Sequence, residues 1–288
     1  MKNSPFLQPE EEKNSGQNQQ PINQLRQIIG YISGIEEDEQ YLAQNFELLT
    51  FEHGKIIADL TEIYPKNGQN GSILPYFYLI CQGQVRLVSF NQAKQREVSV
   101  NLLKEGDVFG GDSFWNEIIW PYKAIAAGTV LTSSVQVAKI SLGKLKPYLD
   151  KLPKLQNQWQ TVAKQRQALI FFKTCTELGE LSSRRLQQLL PYVKEKQIAA
   201  GENLAGIGTK EPSHFWLCQG QIQPQSLNIG SSWGYPTKIP PDWVAESELH
   251  LYQILSSDWD KAKAIAPMLD PTSETASVPI AKPSPIPP

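Results

Sequence analysis

A ten-residue stretch of this chain recurs in altered form around an identical Cys-Gln-Gly-Gln. Tyr76-Phe-Tyr-Leu-Ile-Cys-Gln-Gly-Gln-Val85 is answered by Ser213-His-Phe-Trp-Leu-Cys-Gln-Gly-Gln-Ile222, with Cys81 and Cys218, and Gly83 and Gly220, each 137 positions apart. Two further blocks come after it in the same order. Gly106-Asp-Val-Phe-Gly110 is matched by Gly230-Ser-Ser-Trp-Gly234, and Ile140-Ser-Leu-Gly-Lys-Leu-Lys146 by Leu255-Ser-Ser-Asp-Trp-Asp-Lys261. The tetrapeptide CQGQ alone could recur by chance, but three blocks in one order describe a duplicated unit. A chain of 288 residues with such a duplication is expected to form two related modules. The second copy is the shorter, with 10 residues from Gly220 to Gly230 against 23 from Gly83 to Gly106, so at least one hairpin has been trimmed from it.

The repeated unit is built of strands. Lys55–Leu60, Tyr76–Cys81, Gln84–Phe90, Glu97–Leu103 and Ser134–Ile140 are rich in β-branched and aromatic residues, and several alternate with period two. Many short strands divided by turn residues predict a closed barrel, roll or sandwich. One helix is predicted behind Pro153, where Leu155, Trp159, Val162, Leu169 and Phe172 recur at helical spacing and Gln and Lys fill the other face. It joins the two modules. A second helix is predicted from an N-cap at Ser182 or Ser183 to Tyr192, with Leu186, Leu189, Leu190 and Val193 as its apolar positions. The third repeated block predicts that each module's last strand passes into a Ser-capped helix.

These signals divide the chain into four parts. Residues 1–23 are rich in Gln, Asn, Glu, Pro and Ser and carry too little apolar surface to fold alone, so a disordered tail is expected. Residues 24–172 form the first module with its C-terminal helix, and 173–269 the second, reduced one. Residues 270–288 read as a Pro-rich linker of polyproline II character.

Composition excludes several functional classes. Lys plus Arg number 27 against 29 for Asp plus Glu, a formal net charge of −2, which lacks the positive excess needed to coat nucleic acid or an anionic membrane. There is no apolar run of about 18 residues and no apolar signal-peptide core, so a cytoplasmic protein without a membrane insertion is expected. Cys81, Cys175 and Cys218 are too few and too scattered for a disulfide framework, and Cys81 and Cys218 are expected as small buried hydrophobes. His53, His214 and His250 show no ligand spacing, so no metal is expected. Nucleophile elbow, Walker A loop and Rossmann fingerprint are all missing, so neither catalysis nor a cofactor is expected. Ser182-Ser-Arg-Arg185 reads as a capped helix start with solvated arginines rather than a phosphate site.

The repeated blocks resemble the cyclic nucleotide-binding domain family. The resemblance rests on Leu79-Ile-Cys-Gln-Gly-Gln-Val-Arg-Leu87 and Gly106-Asp-Val-Phe-Gly110, with Gly54-Lys-Ile-Ile57 before them and Val137-Ala-Lys-Ile-Ser141 after. It covers about residues 35–170 and continues in decayed form over about 177–268. It implies a mainly β fold with flanking helices: two jelly-roll-like β barrels, the second truncated. It also implies a phosphate-binding cassette after Phe109-Gly110, with a helix N-terminus and small residues beneath a cyclic phosphate. In the family a Glu following the F-G pair takes the ribose hydroxyl, and an Arg about eleven residues later pairs with the phosphate.

The candidate ligand-facing residues carried over in this way are Gly110, Gly111, Asp112, Ser113, Tyr122, Lys123 and Ala124. Gly111 stands where the Glu belongs and offers only backbone. Tyr122 stands at or beside the Arg position and brings a hydroxyl without charge. Lys123 is one step along a strand and is expected on the opposite face. Asp112 can replace the Glu only if the loop shifts. Trp115 and Trp120 either line the pocket or fill it. The second copy has Gly234-Tyr235-Pro236 here and no matching basic residue. Cyclic nucleotide binding is therefore not expected in either barrel.

No basic recognition helix follows the first barrel, so no nucleic-acid partner is expected. The leading expectation is a non-catalytic regulatory or scaffolding protein that acts through a protein partner. The layout of an intact barrel, a linking helix, a shrunken barrel and a Pro-rich linker also resembles the N-terminal regulatory region of bacterial peptidase-containing ABC exporters, which would make that partner a transporter and the chain an accessory module of an export system. The rival expectation is a sensor for a cyclic nucleotide or another anion, held by cassette amides and Lys123.

Overall fold

The computed structural model describes residues 45–61, 76–127, 134–210 and 212–270; the expectations for residues 1–23 and 271–288 lie outside them. The first module is made of β1 (Glu47–Glu52), β2 (Ile56–Asp59), β3 (Tyr76–Gln82), β4 (Gln84–Asn91), β5 (Arg96–Lys104), β6 (Val108–Gly110), β7 (Lys123–Ala126) and β8 (Ser134–Ser141). They form two antiparallel sheets, ordered β1-β8-β3-β6 and β2-β7-β4-β5. Alternation along β3 gives each face its task. Tyr78 and Ile80 point between the sheets and meet Val85, Leu87 and Phe109, with the Tyr78 and Phe109 rings stacked 4.8 Å apart. Phe77, Leu79 and Cys81 point outward onto Leu145, Leu149, Leu155 and Trp159 of two helices further along the chain.

The second module repeats the first sheet and shrinks the other. Its strands are β9 (Val193–Ile198), β10 (Ser213–Gln219), β11 (Ile222–Gln223), β12 (Ser232–Gly234), β13 (Val244–Ala245) and β14 (Leu249–Leu255). The sheet β9-β14-β10-β12 reproduces β1-β8-β3-β6, while a two-stranded sheet, β11-β13, stands where the first module has four strands. The trimmed hairpin read from the glycine spacing is this loss.

Register confirms the repeat residue by residue. A bulge leaves Cys81 unopposed between the pairs Ile80↔Val137 and Gln82↔Gln136, and another leaves Cys218 unopposed between Leu217↔Leu251 and Gln219↔His250. The Gly106 amide donates to the Ile80 carbonyl at 2.9 Å, as Gly230 does to Leu217 at 2.8 Å. Gly110 opposes Phe77 and Gly234 opposes His214. Both glycines have positive φ, 78° and 94°, and a Cβ there would lie 2.6 Å from the Tyr76 carbonyl oxygen or 2.4 Å from that of Ser213. The close approach of backbone to backbone explains why the block must end in glycine.

Three expectations are corrected. The strand register pairs Ile140 with Ile254, not with Leu255, because these are the residues opposite Phe77 and His214. Of the two helices that follow a module's last strand, only α1 (Leu142–Leu149) is Ser-capped, Ser141 accepting from the Lys144 amide; after β14 a 3-10 turn at Ser256–Asp258 precedes α5 (Trp259–Ile265), and Asp258 makes no side-chain cap. Val193 opens β9 instead of closing a helix. The helix α3 (Ser183–Leu189), capped by Ser182, gives way to a 3-10 turn at Leu190–Tyr192 because Pro191 has no amide to continue it.

The long helix α2 (Pro153–Cys175) ties the modules together. Its first turns, with Leu155 and Trp159, cover the outer face of the first module. From Arg166 to Phe172 every residue is buried. Leu169 to Phe172 join one continuous core with Ile80 and Leu87 of the first module and Trp216, Tyr252 and Ile254 of the second. Among the described residues α4 (Leu204–Lys210) is the remaining helix, and no helix is long and apolar enough to cross a membrane.

His214 occupies the place that Phe77 has in the first module. Its ring lies against Trp216 and Trp259, its Nδ1 is 2.8 Å from the Tyr235 carbonyl oxygen, and burial pushes its pKa down to about 4. The unfolded chain takes up a proton below the ordinary value while the folded one does not, so the stability from this group is complete above pH ~6.5 and is lost as the pH falls toward 4. His214→Phe should therefore flatten the stability profile. Denaturant unfolding at pH 7 and pH 5 should show the wild type losing about 2 kcal/mol more than the variant.

Candidate functional site

The cassette runs from β6 to β7. Gly110 and Gly111 both have positive φ, which turns the chain sharply off β6. The chain then enters a 3-10 turn of three residues, Asp112–Phe114, not the α-helical N-terminus that the resemblance implies. The turn places Asp112 inside the protein, with its side chain fully buried. Opposite it is Arg166 of α2, whose side chain is 4 % exposed and whose Nε lies 2.9 Å from Asp112 Oδ1.

Each remaining polar atom of this pair has a partner within the cassette. Arg166 Nη1 donates to the Val108 carbonyl at 2.8 Å and Nη2 to that of Gly110 at 3.4 Å. The Tyr122 hydroxyl donates to Asp112 Oδ2 at 2.7 Å and accepts from the Gly110 amide at 3.1 Å. Burial, reinforced by the Asp112 charge, holds the Tyr122 hydroxyl well above the ordinary tyrosine pKa, so it stays a donor. Burial alone would lower the pKa of Arg166, but the Asp112 carboxylate outweighs it and the guanidinium stays charged. The network is a buried ion pair whose hydrogen bonds are met by β6 and by Tyr122, just ahead of β7.

A second contact from the same helix holds the other end of the cassette. Gln167 Oε1 accepts from the Trp120 amide at 2.6 Å, and the Trp120 ring lies 5.1 Å from that of Phe171. The Ser89 hydroxyl donates to the Pro121 carbonyl at 2.6 Å.

The sequence-derived candidates divide accordingly. Gly110, Asp112 and Tyr122 come together. Gly111 is backed by Leu142, Phe77 and Trp115, so a side chain there would meet both their atoms and a φ of +66°. Ser113 is partly buried on the turn, and Ala124 is sealed in the barrel core. Lys123 faces outward, its Nζ 2.9 Å from Glu97 Oε1 and 3.7 Å from Asp59 Oδ2. Trp115 packs on Phe77 and Phe114 outside the barrel, and both it and Trp120 border a groove of about 410 Å³; within the cassette Tyr122, Asp112 and Arg166 meet. Arg166 and Gln167 were missed. The available signal was position: Arg166 falls at the same helical spacing as Leu155, Trp159, Val162 and Leu169, where an apolar residue belongs. Among the described residues no cluster of three or more His, Cys, Asp or Glu is placed to hold a metal ion.

Removing one member of the network should cost more than removing both. Arg166→Ala leaves Asp112 buried without its cation and should lose about 3–5 kcal/mol in denaturant unfolding. The double variant Arg166→Met, Asp112→Leu should lose clearly less. Tyr122→Phe, which strips one hydrogen bond from a charged group, should lose about 1–3 kcal/mol.

No family model matches the chain, and no curated protein matches it. Solved structures do resemble it. The regulatory domain of Toxoplasma gondii PKA with cAMP is 13 % identical, with a TM-score of 0.38, over 90 % of this chain and 97 % of that one. The regulatory subunit of a cAMP-independent protein kinase A from Trypanosoma brucei is 11 % identical, TM-score 0.37, over 92 % and 93 %. A cyclic nucleotide-binding-like protein from Brucella abortus is 18 % identical, TM-score 0.34, over 45 % of this chain and 97 % of its own. In this chain itself, the blocks that carried the resemblance fall on β2, β3, β4, β6 and β8 in that order, and the fold is the cyclic nucleotide-binding-like jelly roll, followed by a reduced second copy.

Proposed function

We propose that the chain is a non-catalytic regulatory or scaffolding protein that acts through contacts with a protein partner, and that its first cassette holds no cyclic nucleotide. One observation carries this reading: the guanidinium at the cassette is already neutralised by Asp112, a carboxylate of the same chain, with Tyr122 closing the network. A phosphate entering here must separate Arg166 from Asp112 and strand a buried carboxylate, a penalty of several kcal/mol. It also finds neither the Glu nor the Arg of the family pattern. A micromolar complex needs about −8.2 kcal/mol. Two missing charge-assisted hydrogen bonds remove about 3–6 kcal/mol of that before the internal pair is disturbed. The finer reading, an accessory module of an export system with a transporter as partner, is supported by the layout of the chain alone.

Calorimetry with cyclic AMP and cyclic GMP tests the proposal. No dissociation constant below about 10 μM is expected for either. A tighter complex would overturn the reading. Restoring the family residues with Gly111→Glu and Tyr122→Arg should not rescue binding, because a Glu at a φ of +66° is strained and a second guanidinium would compete with Arg166 for Asp112. Gain of binding in that double variant would show that the cassette is open.

A further inference from the structure

Four large apolar residues are more than two-fifths exposed among the described residues: Ile56, Phe90, Leu102 and Ile229. Three of them lie on one sheet. Ile56 pairs with Ile125, Ile125 with Arg86, and Arg86 with Leu102, so the four side chains form one row across β2-β7-β4-β5. The row spans about 14 Å, at ~4.8 Å per strand, on the face turned away from the barrel core. Phe90 lies on the same face of β4, opposite Glu97. Scattered apolar residues are ordinary on a surface, but three on one sheet face are not scattered.

The charges on this face are unevenly satisfied. Lys123 holds both Asp59 and Glu97, which accounts for the acidic groups. Arg86, inside the apolar row, and Lys104, beside Leu102 on β5, are exposed, and among the described residues neither side chain makes an ion pair. Leu102 and Lys104 also border a groove of about 450 Å³ between β5, α2 and α3, into which the surface continues past the sheet edge.

We propose that this sheet face, centred on Arg86, docks a protein segment that sets a carboxylate between apolar side chains. The proposal rests on the reading that the protein acts through protein contacts, and it names the surface and the chemistry of the partner. Arg, and the aromatic residues that Phe90 represents here, are enriched where interfaces hold their binding energy. A second copy docking by this same face fits worse: the face itself has no carboxylate to spare, since Asp59 and Glu97 already serve Lys123. Nucleic acid and anionic membranes fit worse too, because they call for a run of cations and find two.

The test uses the full chain and two synthetic 18-residue amphipathic peptides. Both carry a leucine stripe; one has glutamates within it and the other lysines. Hydrogen exchange should show protection of β2, β4, β5 and β7 by the glutamate peptide and not by the lysine peptide. Arg86→Glu should weaken the glutamate peptide by about tenfold or more and let the lysine peptide bind. Leu102→Ser should weaken the glutamate peptide as well. Both positions are exposed, and matching melting temperatures confirm that the variants fold. Indifference to peptide charge, no response to Arg86→Glu, or protection confined to other strands overturns the proposal. Protection of this face by phosphatidylserine vesicles or single-stranded DNA, with the peptides silent, overturns it in favour of those ligands. A concentration-dependent dimer abolished by Leu102→Asp overturns it in favour of a second copy. A silent face alongside a silent nucleotide titration refutes only the docking surface; a nucleotide response refutes the empty cassette independently.

Discussion

The buried pair Arg166–Asp112 sets the geometry on which the other parts of the structure depend. A carboxylate with no exposed surface and a guanidinium with almost none are tolerable in a low-dielectric interior only when each is held by the other and by further hydrogen bonds. Those bonds come from β6, the adjoining turn and Tyr122 of the segment leading to β7. Any displacement of α2 relative to the cassette therefore leaves a charge uncompensated. Gln167, the next residue on the helix, adds the contact to Trp120. Two adjacent side chains thus fix the helix against both ends of the segment between β6 and β7.

The same helix makes the reduced second module viable. With a two-stranded sheet in place of a four-stranded one, that module's own core is a modest cluster around Phe215, Leu217, Trp233 and Leu251. A small domain buries too little surface to be comfortably stable alone. Here the outer face of its main sheet, with Trp216 and Tyr252, packs on Phe171 and Phe172 of α2, ring centroids 5.2–5.3 Å apart. Trp216 also donates to Glu177, just beyond the end of α2, at 3.0 Å. The missing strands are offset by a core held in common with the first module.

How much was legible in the sequence depended on how strongly each position is constrained by local physics. The glycines at 106, 110, 230 and 234 were readable because positive φ and close backbone approach admit little else. The central strands β3 and β4 were readable because burial forces an apolar run on the first and an alternation on the second, and the edge strand β5 because Val98, Val100 and Leu102 keep a period of two. The edge strand β9, Val193-Lys-Glu-Lys-Gln-Ile198, was not, because a strand exposed along much of its length is written in charged residues that resemble a loop. The short β6 and β7 carry too few residues to show a period. At the site, the absence of the family Glu and Arg could be read from Gly111 and Tyr122. The residues that took their place could not, since Arg166 is 54 positions from Asp112 and their meeting is a property of the folded chain alone.

The seven buried residues from Arg166 to Phe172 also determine how this protein can be taken apart. A helix that is covered on every side has no solvent face on which to be cut. A fragment ending ahead of it would expose the first barrel's charged turn without its counter-ion. A fragment beginning after it would leave Trp216 and Tyr252 bare. The duplication visible in the sequence is therefore not a pair of interchangeable cassettes: transplanting either half into another protein would require carrying α2 along, and two recipients cannot share one helix.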